Sequence, residues 1–153
     1  ELAVVLGKDA RDVPAGQTRD YIFGYTILND VSARDVQTAH KQWYFGKSLD
    51  GFTPIGPCIV TADAFADYPP RLGIRSFVNG EKRQDSNTAL QIFDIDHVIA
   101  ELSQGMTLKA GTIIATGTPA GVGMGMDPPQ FLKPGDTVRC EIDGIGSLTN
   151  TVK

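Results

Sequence analysis

Apolar residues in this chain come in short runs bounded again and again by glycine, proline or Asn-Gly, and that pattern limits the fold to something built mainly of strands. Leu2–Leu6 is an aliphatic run closed by Gly7, and Ile22–Leu28 follows the turn-rich stretch "DARDVPAGQTRDY" with its Pro14 and Gly16. "GFTPIGP" leads into Cys58–Thr61, and Ile74–Val78 ends at Asn79-Gly80 before Glu81. An Asn-Gly pair between extended segments favours a two-residue type I′ hairpin. Thr112–Ala115, Thr137–Ile142 and Ser147–Val152 complete the set, punctuated by "KPGD" and "DGIG". Two segments read as helices: Ser32 to about Lys41, and Asp94–Gln104. In the second, Ile95, Val98, Ile99 and Leu102 share one face and Gly105 is the stop. The expectation is a mostly-β (α+β) fold with one or two short helices. No repeat or linker divides the 153 residues, so they read as one domain, long enough to bury a real core.

Composition narrows the partners. A net charge of −4 argues against a nucleic-acid binder, which usually shows a basic face. No apolar run approaches the roughly 20 residues that cross a bilayer, and no signal peptide is visible, so no membrane partner is expected. Cys58 and Cys140 each sit among apolar neighbours, which favours two buried free thiols over a disulfide and fits the cytoplasm. His40 and His97 form no metal-spaced pair with each other or with cysteine, so zinc is not expected.

The segment "GYTILNDVSARDVQ" begins as a buried strand and turns polar. Asp30, Arg34 and Gln37 then follow at steps of four and three, which places them on one face of any helix that starts after Asn29. Spacing alone favours a plain surface helix with an acid near its N-terminus, although the end of a buried strand is where sites are often built. In "YFGKSLDGFTPIGP", Gly46-Lys47-Ser48 lacks the glycine that a phosphate loop needs at position 41, which is Lys41; what remains is one lysine in a loop, ordinarily a solvated one. "IIATGTPAGVGMGMDPP" fails as a dinucleotide fingerprint because position 126 is Met and no helical pattern follows. Such a loop can still offer backbone N–H groups to an anion, with Thr116 and Thr118 as its hydroxyl donors.

Taken in order, "ELAVVLGK", "NDVSARDVQ", "FGKS" with its "PIGP" continuation, and "GTIIATGTPAGVG" resemble the C-terminal catalytic domain of the fumarylacetoacetate hydrolase superfamily over nearly the whole chain. The resemblance implies a β-rich FAH fold, an incomplete barrel or sandwich-like roll of mixed strands, commonly a homodimer. It also implies Mg²⁺, or Mn²⁺ or Ca²⁺, held by an acidic triad: a Glu-x-Glu pair whose second member matches Glu1, and an Asp that matches Asp30. The first Glu of the pair would precede Glu1, so the resemblance implies a preceding segment. Hard, oxygen-seeking Mg²⁺ suits carboxylates. Beside it, the carboxylate and keto oxygen of a 2-oxo or diketo acid substrate could be held so that an enolate is stabilised. Lys47 matches the lysine that neutralises that charge, Arg34 and Gln37 match residues at the substrate's distal oxygens, and Thr118 matches a threonine at its carboxylate.

The reaction this implies is hydrolytic C–C cleavage of an acylpyruvate-type substrate. Alternatives are decarboxylation of a 2-oxo acid such as oxaloacetate, or isomerisation or hydration of unsaturated 2-oxo dicarboxylates in aromatic catabolism. A homologue that binds a metal or small acid without turnover is the reading from another class. Two features bear on the choice. The His–Glu dyad that activates water in several hydrolytic members lies on an N-terminal or lid segment, and His40 is not its counterpart. The loop form "GTPAGVG" is common in bacterial members acting on 2-oxo dicarboxylates and lacks the Glu of the true fumarylacetoacetate hydrolases. With two of three acids, residues 1–153 alone are expected to bind Mg²⁺ or Mn²⁺ far more weakly than a longer form carrying the third; equal affinities by titration calorimetry would refute this.

Overall fold

The structure is a computed structural model that describes residues 1–39 and 41–153. Among the described residues, eight strands form two four-stranded sheets. The first contains β1 (Leu2–Leu6), β2 (Ile22–Leu28), β3 (Ile55–Thr61) and β6 (Ile113–Ala115), in the order β3-β2-β1-β6. The second contains β4 (Gly73–Val78), β5 (Glu81–Asn87), β7 (Thr137–Ile142) and β8 (Gly146–Thr151), in the order β5-β4-β7-β8. The described residues also contain three short α-helices, α1 (Arg34–Ala39), α2 (Tyr44–Lys47) and α3 (Ile95–Ser103), and four single turns of 3-10 helix. The fold is therefore mostly β with unclosed sheets, as expected, but every recorded strand pair is antiparallel where the resemblance implied mixed strands.

Alternation within the strands explains the core. Leu2, Val4 and Leu6 of β1 join Tyr25 and Ile27 of β2 on one side, and Ile74, Val138, Cys140 and Ile142 of the second sheet on the other. Tyr25 meets Phe65 edge to face at 5.5 Å between ring centres. Burial pushes the Cys140 thiol pKa up, so it stays protonated in this core. The two sheets adjoin where β3 runs beside β8: the Cys58 thiol lies 3.8 Å from the Ile145 carbonyl oxygen. Cys58 itself is exposed, contrary to expectation, because β3 is the outer strand of its sheet.

Helix α3 follows its sequence pattern closely. Asp94 caps it by accepting a hydrogen bond from the His97 N–H at 2.8 Å. Ile95 and Ile99 are buried, with Val98 and Leu102 packed against the same core. The Asn79-Gly80 hairpin also forms as expected, with φ of 51° and 83° at its two turn residues, the type I′ sign pattern. The first helix is shorter than expected and starts only at Arg34. Before it, the Asn29 N–H bonds the Pro54 carbonyl and the Ala33 N–H bonds the Gly46 carbonyl, so those amides are committed outside any helix. α2 falls where the sequence read only as a Gly/Pro-rich loop.

Ile99 has no solvent exposure. Ile99→Ala is expected to destabilise the protein by about 2–5 kcal/mol through lost burial and the cavity left behind, measured as a lower urea midpoint at unchanged m-value.

Candidate functional site

Glu1, Asp30, Thr116 and Gly117 come to one end of the first sheet because of how β1 is paired. β1 runs antiparallel to both β2 and β6. Its beginning therefore lies beside the ends of β2 and β6. The Leu28 N–H donates to the Glu1 carbonyl at 3.0 Å, and the Glu1 backbone nitrogen donates to the Leu28 carbonyl at 2.6 Å. On the other side, the Thr116 N–H and hydroxyl both donate to the Leu2 carbonyl, at 3.2 and 2.8 Å. The Gly117 N–H then donates to Glu1 Oε2 at 2.8 Å. Thr116 is thus a fastening between strands, and its hydroxyl is not free for a ligand.

Asp30 lies two residues beyond Leu28 and outside α1, so the expected stripe of Asp30, Arg34 and Gln37 on one helical face does not form. Asp30 forms its ion pair with Lys47 instead. The two side chains are 27% and 25% exposed, which sets Lys47 apart from the solvated loop lysine that its sequence context suggested. Lys47 reaches Asp30 because α2 presses against α1 at Gly46. A Cβ on Gly46 would lie 2.7 Å from the Gln37 amide nitrogen and 2.9 Å from the Ala33 carbonyl oxygen, so only glycine fits. On α1, Arg34 Nη1 donates to Gln37 Oε1 at 2.9 Å, and Gln37 is 5% exposed. A surface helix would leave that amide in water.

Thr118 belongs to a different neighbourhood. Its recorded partner is Gln84 of β5, whose Nε2 donates to Thr118 Oγ1 at 2.8 Å and to the Pro119 carbonyl at 2.7 Å. The register of β4 and β5 accounts for this reach. Ser76 pairs with Gln84 but Phe77 pairs with Lys82, leaving Arg83 as the extra residue of a β-bulge. A bulge re-aims side chains at the strand's surface, and here two consecutive residues engage one loop. Arg83 Nη1 donates to Gln130 Oε1 and lies 3.1 Å from Met126 Sδ, while a Cβ on Gly121 would come within 2.2 Å of the Arg83 carbonyl oxygen. Sequence reasoning missed Ser76, Arg83 and Gln84, since "EKRQD" after a hairpin turn reads as ordinary exposed strand. Beside the loop, a cavity of about 460 Å³ is lined by Thr116, Gly117 and Thr118 on one side and by Leu90 and Phe93 on the other. His97 stacks on Phe93 at 4.7 Å. His40 lies outside the described residues.

Glu1 and Asp30 are hard oxygen donors at one sheet end, and each keeps one carboxylate oxygen with no hydrogen-bond or ion-pair partner among the described residues. That fits a divalent ion in kind. In number it falls short: the described residues contain no group of three His, Cys, Asp or Glu side chains able to hold one. Further oxygens would have to come from water, substrate or a longer chain. No described helix is long and apolar enough to cross a membrane.

This architecture, two open antiparallel sheets with acids, a lysine and a glycine-rich loop at strand ends, defines a class that comparison with known proteins identifies. The fumarylacetoacetate (FAA) hydrolase C-terminal profile matches residues 1–153, and the chain belongs to that family, whose members generally use a divalent metal. It is 49% identical over 152 residues to the oxaloacetate tautomerase YisK of Bacillus subtilis (strain 168), covering 99% of this chain and 50% of that protein. Among solved structures, the fumarylacetoacetate hydrolase of psychrophilic Exiguobacterium antarcticum superposes with a TM-score of 0.96 at 51% identity, over 100% of this chain and 55% of that one. The 5-carboxymethyl-2-hydroxymuconate delta-isomerase of Mycobacterium smegmatis gives 0.88 at 46%, over 99% and 56%. The chain thus spans about half the length of the relatives it matches.

Gly46→Ala is expected to push α2 away from α1 and separate Lys47 from Asp30. The expected outcome is a loss of about 1–3 kcal/mol in stability, the usual cost of overpacking, together with weaker binding of any dianionic ligand in calorimetry. Wild-type behaviour in both would show that the close approach is dispensable.

Proposed function

We propose that residues 1–153 are the catalytic domain of a longer, metal-assisted enzyme that moves a proton beside the keto group of a 2-oxo dicarboxylate. The reaction is keto–enol tautomerisation or the shift of a conjugated double bond. The observation that carries the reading is the Lys47–Asp30 ion pair, with Asp30 two residues beyond Leu28, whose N–H bonds the Glu1 carbonyl. Tautomerisation and double-bond migration both pass through an enolate, and a positioned ammonium stabilises the charge that develops on its oxygen.

In this reading each side chain has one task. Lys47, restrained by Asp30, faces the enolate oxygen and neutralises it. Thr118 donates its hydroxyl to the carboxylate next to the keto group. Arg34, steadied by Gln37, binds the distal carboxylate, for which its planar fork is suited. Fixing both ends keeps the reacting carbons coplanar with the keto group, which an enolate requires. A divalent ion on Glu1 and Asp30, Mg²⁺ or Mn²⁺ by the carboxylate character of those ligands, would add Lewis-acid polarisation of the keto oxygen.

Proton transfer is preferred to the C–C hydrolysis expected from sequence because it needs only a base that takes the proton from carbon and returns it, whereas hydrolysis needs both a base and a water positioned at the carbonyl carbon. The names of two relatives, a tautomerase and an isomerase, support the same preference. A homodimer in the cytoplasm completes the reading; the two cysteines without a disulfide are compatible with that compartment.

The test uses the full-length protein with Mn²⁺, following deuterium exchange at carbon 3 of oxaloacetate, and double-bond migration in an unsaturated 2-oxo dicarboxylate, by NMR. Exchange above background is expected, abolished by excess EDTA and lowered roughly 10²–10⁴-fold by Lys47→Met, the scale for loss of one electrostatic or proton-handling group. Cleavage of acylpyruvates that outpaces exchange would replace this reading with hydrolysis. Tight binding without exchange would make the protein a non-catalytic binder.

A further inference from the structure

The hydrogen bonds around Thr118 settle which way its hydroxyl proton can point, and the residue that decides this lies on the other sheet. Gln84 Nε2 donates to the Pro119 carbonyl at 2.7 Å, and a carbonyl can only accept, so the amide of Gln84 has a fixed orientation. Its Oε1 correspondingly accepts from the Ser76 hydroxyl at 2.8 Å, and Ser76 is itself buried. The second Nε2 hydrogen is directed at Thr118 Oγ1, 2.8 Å away. Thr118 is therefore the acceptor in that bond, and its own proton is left for another partner. Thr118 is exposed and lines the cavity between the glycine-rich loop and Leu90 and Phe93.

We propose that Gln84 is a positioning residue: through the relay Ser76–Gln84–Thr118 it holds the Thr118 hydroxyl as a donor aimed at an anionic ligand. The bulge at Arg83 makes the relay feasible, because it sets the Gln84 amide against the loop while Ser76 stays its cross-strand partner. Without Gln84 the hydroxyl would be free to rotate and present its lone pairs to a carboxylate, which repels them. Through the relay a residue of the second sheet acts on the loop that follows β6 of the first. The inference rests on the functional reading above, in which Thr118 contacts the substrate's carboxylate.

A double-mutant cycle in the full-length, Mn²⁺-loaded protein tests it, with KM for oxaloacetate and the inhibition constant of oxalate as readouts. Oxalate serves as a planar dianion whose binding needs no turnover. Gln84→Met, which keeps length but loses the amide, is expected to raise both constants roughly 10-fold with kcat much less affected, the scale of one hydrogen bond to a charged group. Thr118→Val is expected to do at least as much. In the Thr118→Val background, Gln84→Met should add less than about 2-fold, because the group it positions is gone. If the two effects multiply, Gln84 is merely a loop anchor through Pro119 and the positioning role is wrong. If Thr118→Val alone leaves both constants unchanged, Thr118 does not touch substrate, and the functional reading fails along with this one. Should Gln84→Met not fold, Ser76→Ala carries the same cycle: a rise of a few-fold that vanishes in Thr118→Val supports the relay, and a rise that persists, or none, overturns it.

Discussion

The antiparallel pairing of β1 with both its neighbours is the constraint on which the rest of the structure depends. Five buried residues, Leu2 to Leu6, make that strand the centre of the first sheet. Strands on either side that run the other way must end where it begins. The chain leaves β2 through Asn29 and Asp30, and leaves β6 through Thr116 and Gly117, at the same edge where Glu1 enters. Carboxylates near that edge remain partly solvated, while the backbone beneath them is fixed by the ladder. Rigid support and open access are both needed for a group that must hold a charged ligand.

Two close backbone approaches then convert this edge into a defined geometry. At Gly46 the missing side chain lets α2 rest on α1, and Lys47, the last residue of a single helical turn, is delivered to Asp30. At Gly121 it lets the loop lie on the Arg83 carbonyl of the bulged strand. Neither contact contributes much burial of its own. Each determines where a polar side chain ends up, and so links the first sheet to the helices and to the second sheet. An isolated helix as short as α2 would not form in water; it exists because the Ala33–Gly46 hydrogen bond and the packing at Gln37 hold it.

What the sequence disclosed and what it hid follow from the range of the interactions involved. Strands β1, β2 and β7, the Asn79-Gly80 hairpin and α3 with its Asp94 cap depend on local periodicity and turn chemistry, and their positions were legible. Cys58 was misjudged because apolar neighbours in sequence do not reveal an edge strand. The Asp30–Arg34–Gln37 stripe was misread for a related reason. Helical offsets assume a helix, and Pro54 and Gly46 take the amides that would have started one earlier. Asp30 found its partner 17 residues away, a pairing that no short-range rule yields. Gln84 and Arg83 were invisible, since a bulge leaves no composition signal in "EKRQD".

The division of labour between the sheets bears on how one scaffold serves proteins named as tautomerase, isomerase and hydrolase. Glu1, Asp30 and Lys47 are fixed by the first sheet and its two helices, and in the proposed reading they stabilise an enolate however it arises. The reactions differ in how the enolate arises: in tautomerisation or isomerisation a base takes a proton from carbon, whereas in hydrolysis a base-activated water adds to a carbonyl and the C–C bond breaks to release the enolate, which is then protonated. Groups of that kind sit most readily on segments that close over the strand ends, not in the ladder itself, because closure is what admits or excludes water. The half of such proteins that this chain does not span is one place where a group of that kind can sit. The glycine-rich loop, tethered to the bulge at both Gln84 and Arg83, is a second such place. It touches both sheets, so a change in its length or polarity alters the ligand's surroundings without disturbing the pairing of β1.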